Sequence, residues 1–218
     1  MTPPISLPID FDELTVEDVS RHFGRRRAVA RVTFRASRGT IVGLLGPNGA
    51  GKSTLLSMLA TLLRPSSGRI RYGLHESTAR GISLRGSIGV LGHDLFLYPE
   101  LTALENLEFF AQVRSLPWDG AAGSALLERV GLAGRGRDPV GTFSSGMRVR
   151  LKYAVALQSA PLVLLLDEPT AMLDEGGSRI VEEIIGEQRA RGVLVLATND
   201  PRETRHGDLL LELGGAAA

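Results

Sequence analysis

The sequence predicts an α/β fold built on a largely parallel sheet, with a helical insertion. Three apolar runs, at 41–45, 162–166 and 193–197, have the continuous hydrophobicity expected of strands that are buried on both faces. Helical patterns follow the first two runs, as they do in parallel sheets. Between about 102 and 160 the pattern indicates helices alone. With 218 residues, the chain is long enough for one or two domains with a sizeable core.

The N-terminal part predicts a hairpin after an irregular start. Met1–Glu13 is rich in proline and acidic residues, so we expect an irregular extension there. Leu14–Ser20 and Val32–Ala36 each alternate apolar and polar side chains, as half-buried strands do. The basic segment Arg21–Val29 lies between them and predicts the hairpin turn.

A phosphate-binding loop follows the predicted strand Ile41–Leu45. The segment GPNGAGKST fits the pattern G-x-x-x-x-G-K-[ST] at every fixed position, and a helical pattern follows it over Thr54–Leu63. Its glycines allow successive backbone N–H groups to point at an anion, and the N-terminus of the helix adds positive potential. The loop consists of Gly46, Pro47, Asn48, Gly49, Ala50, Gly51, Lys52, Ser53 and Thr54.

This loop predicts a site for ATP and Mg²⁺. In such loops the lysine, which is Lys52 in this chain, reaches the β- and γ-phosphates, and the hydroxyl group after it, on Ser53, binds Mg²⁺. The alternative is a glycine-rich turn without a ligand. The strand before the loop and the helix after it favour the phosphate site.

The helical insertion is predicted as three helices. A capping-box pattern at 102–105 opens a helix over Ala103–Arg114. Ser124 is the expected cap of a second helix, which ends at Gly131 in the C′ position that glycine favours. The third helix covers about 146–160, where a proline stops it.

The α/β pattern also accounts for the rest of the chain. A helix is expected over Gly177–Arg191. The other strands are expected at Arg69–Tyr72, Ile88–Leu91, Leu162–Leu166, Val193–Ala197 and Asp208–Leu213.

Two adjacent carboxylates, Asp167 and Glu168, end the buried strand at 162–166. At the carboxyl end of such a strand, Asp167 is placed to hold Mg²⁺. Glu168 projects one residue further and is placed to polarise an attacking water. The alternative is an acidic loop after a core strand, but the phosphate loop upstream favours nucleotide chemistry.

Composition excludes several classes of function. The formal net charge is +1, so no overall field recruits nucleic acid. The chain has no cysteine, which excludes disulfides, thiolate metal sites and thiol catalysis. Apolar runs are only a few residues long, against the roughly 20 that span a bilayer, and MTPPISLPID does not have the pattern of a signal peptide. We expect a soluble intracellular protein whose membrane role comes through a partner.

The ordered motifs resemble the nucleotide-binding domain of ABC-type ATPases. These motifs are GPNGAGKST at 46–54, FSSGM at 143–147, LVLLLDEPT at 162–170 and AMLD at 171–174. The resemblance implies a P-loop NTPase domain over about 14–213, with a RecA-like parallel-sheet core and an N-terminal antiparallel β subdomain. It also implies a helical subdomain inserted at about 95–160, which leaves a tail at 214–218.

The same resemblance implies partners and a location. Its members form an ATP-dependent, head-to-tail homodimer with two ATP molecules at the interface. They act with integral-membrane permease subunits, at the cytoplasmic face of the inner (cell) membrane.

The resemblance also implies roles for residues outside the phosphate loop. Phe23 takes the place of the aromatic side chain that stacks on adenine; the alternative is a buried anchor of the hairpin. Ser144, Ser145 and Gly146 take the place of the signature segment, which binds the γ-phosphate of the ATP held by the other subunit. Asp174 takes the place of an aspartate that contacts the other subunit.

Four positions depart from the family pattern. Ser145 replaces the first signature glycine, and Met147 replaces the final glutamine. His93 replaces a glutamine that senses Mg²⁺ and the membrane partner; the alternative is a loop histidine that only packs. Asn199 replaces the switch histidine and can donate a hydrogen bond to a γ-phosphate, but it carries no charge. We therefore expect ATP binding with slow hydrolysis. The expected catalytic residues are Glu168, Lys52, Asn199 and His93.

One stretch suggests a subgroup. Leu91–Val113 is similar to the haem-exporter ATP-binding subunit of cytochrome c maturation, the CcmA type, although generic exporters share much of the pattern. Within it, Leu95, Phe96, Leu97 and Tyr98 either receive a helix of the permease or belong to the core of the insertion. Two other functions remain open. One is a non-transport ABC ATPase acting on ribosomes or DNA, which the single cassette disfavours, and the other is a subunit that binds ATP without hydrolysing it.

Overall fold

The computed structural model describes residues 10–77, 82–92 and 95–214. His93 lies outside the described residues, as do 1–9 of the expected extension and 215–218 of the expected tail. The strands are β1 (Glu13–Phe23), β2 (Arg26–Ser37), β3 (Ile41–Leu45), β4 (Ser67–Tyr72), β5 (His75–Glu76), β6 (Ile88–Leu91), β7 (Val163–Asp167), β8 (Val193–Thr198) and β9 (Leu209–Glu212). The helices are α1 (Lys52–Leu59), α2 (Ile82–Arg85), α3 (Ala103–Val113), α4 (Gly120–Arg129), α5 (Ser145–Leu157) and α6 (Glu175–Arg191), with 3-10 turns at Val140–Thr142 and Pro201–His206.

A parallel sheet of order β6-β7-β8-β3-β9 forms the centre of the fold. Every residue of β7 and β8 is buried, as expected for strands that are covered on both faces. Successive side chains of β7 enter different cores. Val163 and Leu165 pack with α1 and the antiparallel strands, whereas Leu164 and Leu166 pack with the helices α3 to α6. The predicted α/β class is confirmed.

The order of these strands positions the site. Strand β8 lies between β3 and β7, so the phosphate loop and the acidic pair do not follow neighbouring strands. Because the strands are parallel, their carboxyl ends meet at one edge of the sheet, which is where such sheets bind ligands. The chain leaves this edge at Gly46 after β3, at Glu168 after β7 and at Asn199 after β8.

The second sheet is antiparallel, with the order β2-β1-β4-β5. The predicted strand is confirmed in β1, but it is more than half buried, since Thr15 and Ser20 are buried together with Leu14 and Val16. The predicted turn at Arg21–Val29 is too long, since Phe23 already pairs with Arg26. Only two residues form the turn, and the first of them is a glycine, which readily adopts the positive φ of tight hairpin turns.

The insertion between β6 and β7 contains α3, α4 and α5. The capping box of α3 is confirmed, because both of its reciprocal hydrogen bonds are present. The expected cap of the second helix is wrong: Asp119 accepts the Ala121 N–H at 3.0 Å, and Ser124 lies inside α4 with its hydroxyl donating to the Gly120 carbonyl. Gly131 does end this helix, with φ +71° and the 5→2 and 6→1 hydrogen bonds of a Schellman motif.

Several helix ends differ from the prediction. Helix α1 begins at Lys52 and stops at Leu59, because Thr61 turns into the left-handed region at φ +59°. Helix α5 begins at Ser145 and ends three residues before the predicted end, at Leu157. Helix α6 begins at Glu175 rather than at 177. The short elements β5 and α2 were not predicted, since two and four residues are too few to show a period. Within the described part of the chain, no helix is long and apolar enough to cross a membrane.

Candidate functional site

A cavity of about 920 Å³ opens at the carboxyl ends of β3, β7 and β8. The phosphate loop forms its floor, and the hairpin between β1 and β2 forms one side. Its wall consists of Phe23, Arg26, Ala28, residues 48–54, Asp167, Glu168, Thr170, Ala171, Asn199, Asp200 and Glu203.

Glycine is required where the phosphate loop meets other backbone. A Cβ on Gly51 would lie 2.1 Å from the Ala28 carbonyl oxygen, and the residue has φ +96°. A Cβ on Gly46 would lie 2.5 Å from the Leu213 carbonyl oxygen. Gly51 is also the N-cap of α1 and makes no side-chain cap. The first N–H groups of α1 therefore face the cavity without a capping side chain, as a helix that binds an anion requires.

Lys52 holds a positive charge within this loop. Its side chain is only 6% exposed, and its ammonium group donates to the Gly46 carbonyl at 2.7 Å and to the Pro47 carbonyl at 3.3 Å. The Glu168 carboxylate lies 3.8 Å away. The lysine is thus positioned by the loop itself, next to the acidic pair.

The two carboxylates differ in their surroundings. Asp167 is the last residue of β7 and is almost completely buried. Glu168 has φ +50°, which is uncommon for a residue with a side chain and costs about 1–3 kcal/mol. Its N–H donates to the Ala197 carbonyl at 2.8 Å, and the Thr198 hydroxyl donates to its carboxylate at 3.4 Å. Neighbouring β8 therefore holds Glu168 in a strained conformation at the cavity.

Asn199 lines the same cavity as the phosphate loop. It follows β8 directly, is exposed, and lines the cavity. Its side-chain amide donates to the Asn48 side chain at 3.5 Å, so it already reaches the phosphate loop.

Phe23 is exposed on the cavity wall. Its side chain is 49% exposed, so the alternative of a buried hairpin anchor is wrong. The Arg21 guanidinium lies 4.6 Å from the centroid of the ring, within cation–π distance. Arg21 is not part of the wall, which leaves Phe23 available to a planar ligand.

The signature segment lies outside this cavity. Ser144 is the N-cap of α5 and accepts the Met147 N–H at 3.2 Å. Asp174 is also absent from the wall and caps α6 by accepting the Gly177 N–H at 2.7 Å. The structure therefore brings together the loop, the acidic pair, Phe23 and Asn199, but not the signature segment and Asp174.

Sequence reasoning missed Glu203 of the wall and Tyr153, which lies behind the wall. Glu203, on the 3-10 turn after Asn199, accepts a hydrogen bond from the Thr170 hydroxyl. Tyr153 of α5 donates to the Pro169 carbonyl at 2.8 Å, and burial together with the nearby Glu203 charge raises its pKa well above the ordinary range. The Asp-Pro pair at 200–201 is a turn signal that could have identified this turn, whereas nothing in the sequence places Glu203 against Thr170.

The segment Leu95–Tyr98 has two environments. Leu95 and Leu97 pack against the core of the insertion, as the alternative of a core segment predicts. Phe96 and Tyr98 are 78% and 43% exposed, as the alternative of a surface for a permease helix requires. The Tyr98 ring lies edge-on to that of Phe109 at 4.6 Å, so an exposed aromatic surface remains beside the insertion.

The donor set fits Mg²⁺. The Ser53 hydroxyl and the Asp167 carboxylate both line the cavity next to the loop, and they offer the oxygen ligands that Mg²⁺ prefers. Among the described residues no group of three or more His, Cys, Asp or Glu could hold a metal.

Comparisons with known proteins find relatives of this sequence. The family described as ABC transporter matches residues 29–171. The daunorubicin resistance ATP-binding protein DrrA3 of Streptomyces coeruleorubidus is 41% identical over 85% of this chain and 59% of its own length. The linearmycin resistance ATP-binding protein LnrL of Bacillus subtilis is 35% identical over 85% of this chain and 60% of its own.

Solved structures show the same fold. The structure of an ATP-binding subunit of an ABC transporter superimposes with a TM-score of 0.82 at 28% identity, and it covers 92% of this chain and 85% of the other. A dimeric bacterial ABC transporter cassette superimposes with a TM-score of 0.83 at 23% identity, covering 93% and 94%. This chain spans about three fifths of the length of the resistance proteins it matches.

Proposed function

The chain belongs to the ABC transporter family of ATPases, and from this premise we propose that it binds and hydrolyses ATP to drive transport by a separate membrane protein. One observation carries the proposal. A single cavity brings together the uncapped end of α1, the buried cation of Lys52, the strained Glu168 and the amide of Asn199. A glycine-rich turn without a ligand would not explain why residues that follow three separate strands meet there.

The cavity has a place for each part of ATP. The phosphates would lie on residues 46–54, against Lys52 and the N-terminus of α1. The adenine would stack on Phe23 at the hairpin side. Mg²⁺ would be held by Ser53 and Asp167, where it would neutralise charge on the β- and γ-phosphates.

In hydrolysis, a water attacks the γ-phosphorus and the bond to the oxygen that bridges it to the β-phosphorus breaks. Glu168 accepts the proton of that water, while ADP and phosphate leave. Asn199 donates a hydrogen bond from its side-chain amide to the γ-phosphate. Asn199 is neutral, whereas a cation at this position would also stabilise the negative charge of the transferring phosphate. We therefore propose slow turnover. His93 is a further candidate for this site on the basis of sequence alone.

We propose that a second copy of the chain completes the site. Ser144, Ser145 and Gly146 lie at the exposed N-terminus of α5, away from the cavity of their own chain. Such a helix end binds anions, so the segment is placed to bind the γ-phosphate of ATP in another subunit. Asp174 would lie at the same ATP-dependent homodimer interface.

The permease would bind beside the insertion. Phe96 and Tyr98 are exposed aromatic side chains next to the expected position of His93 in the chain, and exposed apolar patches mark interaction sites. The protein would then work at the cytoplasmic face of the cell membrane. Phe96→Asp should abolish co-purification with the permease while leaving ATP binding intact.

For the cargo, the relatives favour drug export. Two of the relatives above are resistance ATP-binding proteins for daunorubicin and linearmycin. The second candidate is haem export, which the stretch Leu91–Val113 alone favours. Deleting the gene and measuring sensitivity to anthracyclines and the content of c-type cytochromes separates the two: only the former changes for a drug exporter, and only the latter for a haem exporter.

The central test is ATP turnover by the purified protein, with Glu168→Gln as the matched blank. The amide keeps the shape of Glu168 but cannot accept the proton. We expect slow turnover in the parent, a rate about 10²–10⁴ lower in the variant, and an ATP-bound dimer of the variant on sizing chromatography. A parent that binds ATP but hydrolyses no faster than the variant would support the binding-only alternative. DNA- or ribosome-stimulated turnover would support the non-transport alternative.

A further inference from the structure

The phosphate side of the cavity contains a second cation besides Lys52. Arg26 begins β2 and lines the cavity, and its Nη2 lies 3.9 Å from where a Cβ on Gly49 would stand. The guanidinium group therefore lies over the middle of the phosphate loop. Among the described residues, its side chain makes no hydrogen bond or ion pair.

The charge of the wall makes this position significant. Lys52 and Arg26 are its two cations, whereas Asp167, Glu168, Asp200 and Glu203 contribute four carboxylates. The ammonium group of Lys52 is already held by two loop carbonyls and lies beside Glu168. An anionic ligand that enters this acidic cavity therefore meets one cation that is not yet engaged.

We infer that Arg26 is a binding residue for the phosphate chain of the nucleotide, and this inference rests on the proposed function. Its planar guanidinium presents paired N–H donors, which suit phosphate oxygens better than any other group in this part of the wall. The base is recognised elsewhere, at Phe23. Arg26 therefore selects for a ligand that carries a phosphate chain and does not select for the base.

The neighbouring Arg27 offers a matched control. It carries the same charge, is exposed on the same strand, and makes no side-chain hydrogen bond or ion pair among the described residues, but it does not line the cavity. Arg26→Gln and Arg27→Gln therefore change the net charge equally. Only the first removes a guanidinium from the phosphate loop.

The experiment is calorimetric titration of ATP, ADP and adenosine into the parent, Arg26→Gln, Arg27→Gln and Arg26→Lys. For Arg26→Gln we expect affinity for ATP and ADP to fall by about tenfold, with adenosine affinity unchanged. For Arg27→Gln we expect a change of about twofold or less. Arg26→Lys should lose less affinity than Arg26→Gln, since lysine keeps the positive charge but lacks the paired N–H donors of the guanidinium.

The outcomes separate this inference from the proposal on which it rests. A parent that binds no ATP overturns both. A parent that binds ATP while Arg26→Gln and Arg27→Gln behave alike overturns the role of Arg26 alone. An equal loss for adenosine and for ATP also overturns it, because Arg26 would then act on the base or on Phe23. Arg26 is exposed on a strand, so folding of each variant can be checked by its thermal midpoint before titration.

Discussion

Two helix N-termini in this molecule can bind an anion, but one of them has no capping side chain and the other is capped by a serine. Helix α1 begins after Gly51, which has no capping side chain, and its first N–H groups face a cavity of about 920 Å³. Helix α5 begins after Ser144, whose own hydroxyl accepts one of those N–H groups, at 3.2 Å. The first end is open toward the cavity of its own chain, whereas the second is partly satisfied and lies outside that cavity.

The difference shows which parts of the chemistry one chain can perform alone. The uncapped end needs a permanent anion or water, because orphan N–H groups without partners are costly. The capped end of α5 is stable without an anion. When an anion binds there, it replaces the hydrogen bond from the Met147 N–H to the Ser144 hydroxyl, and this exchange costs little. We therefore assign binding to the α1 side and the completion of the reaction to the α5 side, and this assignment can be broken or sharpened residue by residue.

The substitution of Asn199 tests the rate of hydrolysis on the α1 side, where the cavity lies. Asn199 lines the cavity and reaches Asn48 across the loop, so Asn199→Ala removes a donor that we place on the γ-phosphate. Loss of one such donor lowers the rate by about 10²–10³ at comparable sites, while ATP affinity should change little. Steady-state turnover is the measurement, and Asn199→His, which restores a donor, should keep or raise the rate. An alanine variant with unchanged turnover would show that Asn199 never touches the phosphate.

Lys52 tests binding on the same side. Lys52→Ala removes the buried cation next to the α1 N-terminus, and the loss of a charge-assisted contact costs about 1.5–3 kcal/mol. ATP affinity should therefore fall at least about tenfold by calorimetry. Equal affinity in variant and parent would mean that the helix end binds phosphate without the lysine, and the argument for the open end would then rest on the backbone alone.

Ser144 tests the other side. Ser144→Ala should leave the ATP affinity of the monomer unchanged, because the serine does not line the cavity of its own chain. It should lower turnover and weaken the ATP-bound dimer, and the lost cap should cost about 1 kcal/mol of stability. Sedimentation with ATP, together with thermal unfolding, separates the two effects. Reduced affinity in the monomer would break the comparison, since both helix ends would then serve one site.

The sequence predicted the phosphate loop and the acidic pair better than the other residues of the cavity wall. The phosphate loop and the pair Asp167–Glu168 carry their chemistry in local patterns, and the buried strands before them are recognisable as continuous apolar runs. Arg26 and Glu203 belong to the wall only because β8 lies between β3 and β7 and the hairpin folds over the loop. No local pattern specifies that arrangement.

The second helix of the insertion shows another reason why a prediction from sequence was wrong. Gly120 and Gly123 are poor helix formers, so the local pattern favours a helix that begins after them, with Ser124 as its cap. In the structure both glycines lie inside α4, and a Cβ on Gly123 would lie 2.6 Å from the Trp118 ring. Close packing of the helix backbone against Trp118, the residue before the cap, therefore outweighs the low helix propensity of glycine, and Asp119 becomes the cap.

The smallest expected effect concerns the link between the two sides. The Thr170 hydroxyl donates to Glu203, and Tyr153 of α5 donates to the neighbouring Pro169 carbonyl, so one loop connects the turn after Asn199 with the helix that carries Ser144. Thr170→Val keeps the shape but leaves the Glu203 carboxylate, one oxygen of which is already buried and unpaired, without its donor. A loss of about 1 kcal/mol, or roughly 2–4 °C in the thermal midpoint, is expected, together with slower turnover and little change in ATP affinity. Thr170→Ser keeps the hydroxyl and should behave like the parent. If Thr170→Val loses stability but keeps its rate, the contact only holds the fold together, and the two helix ends act without this connection.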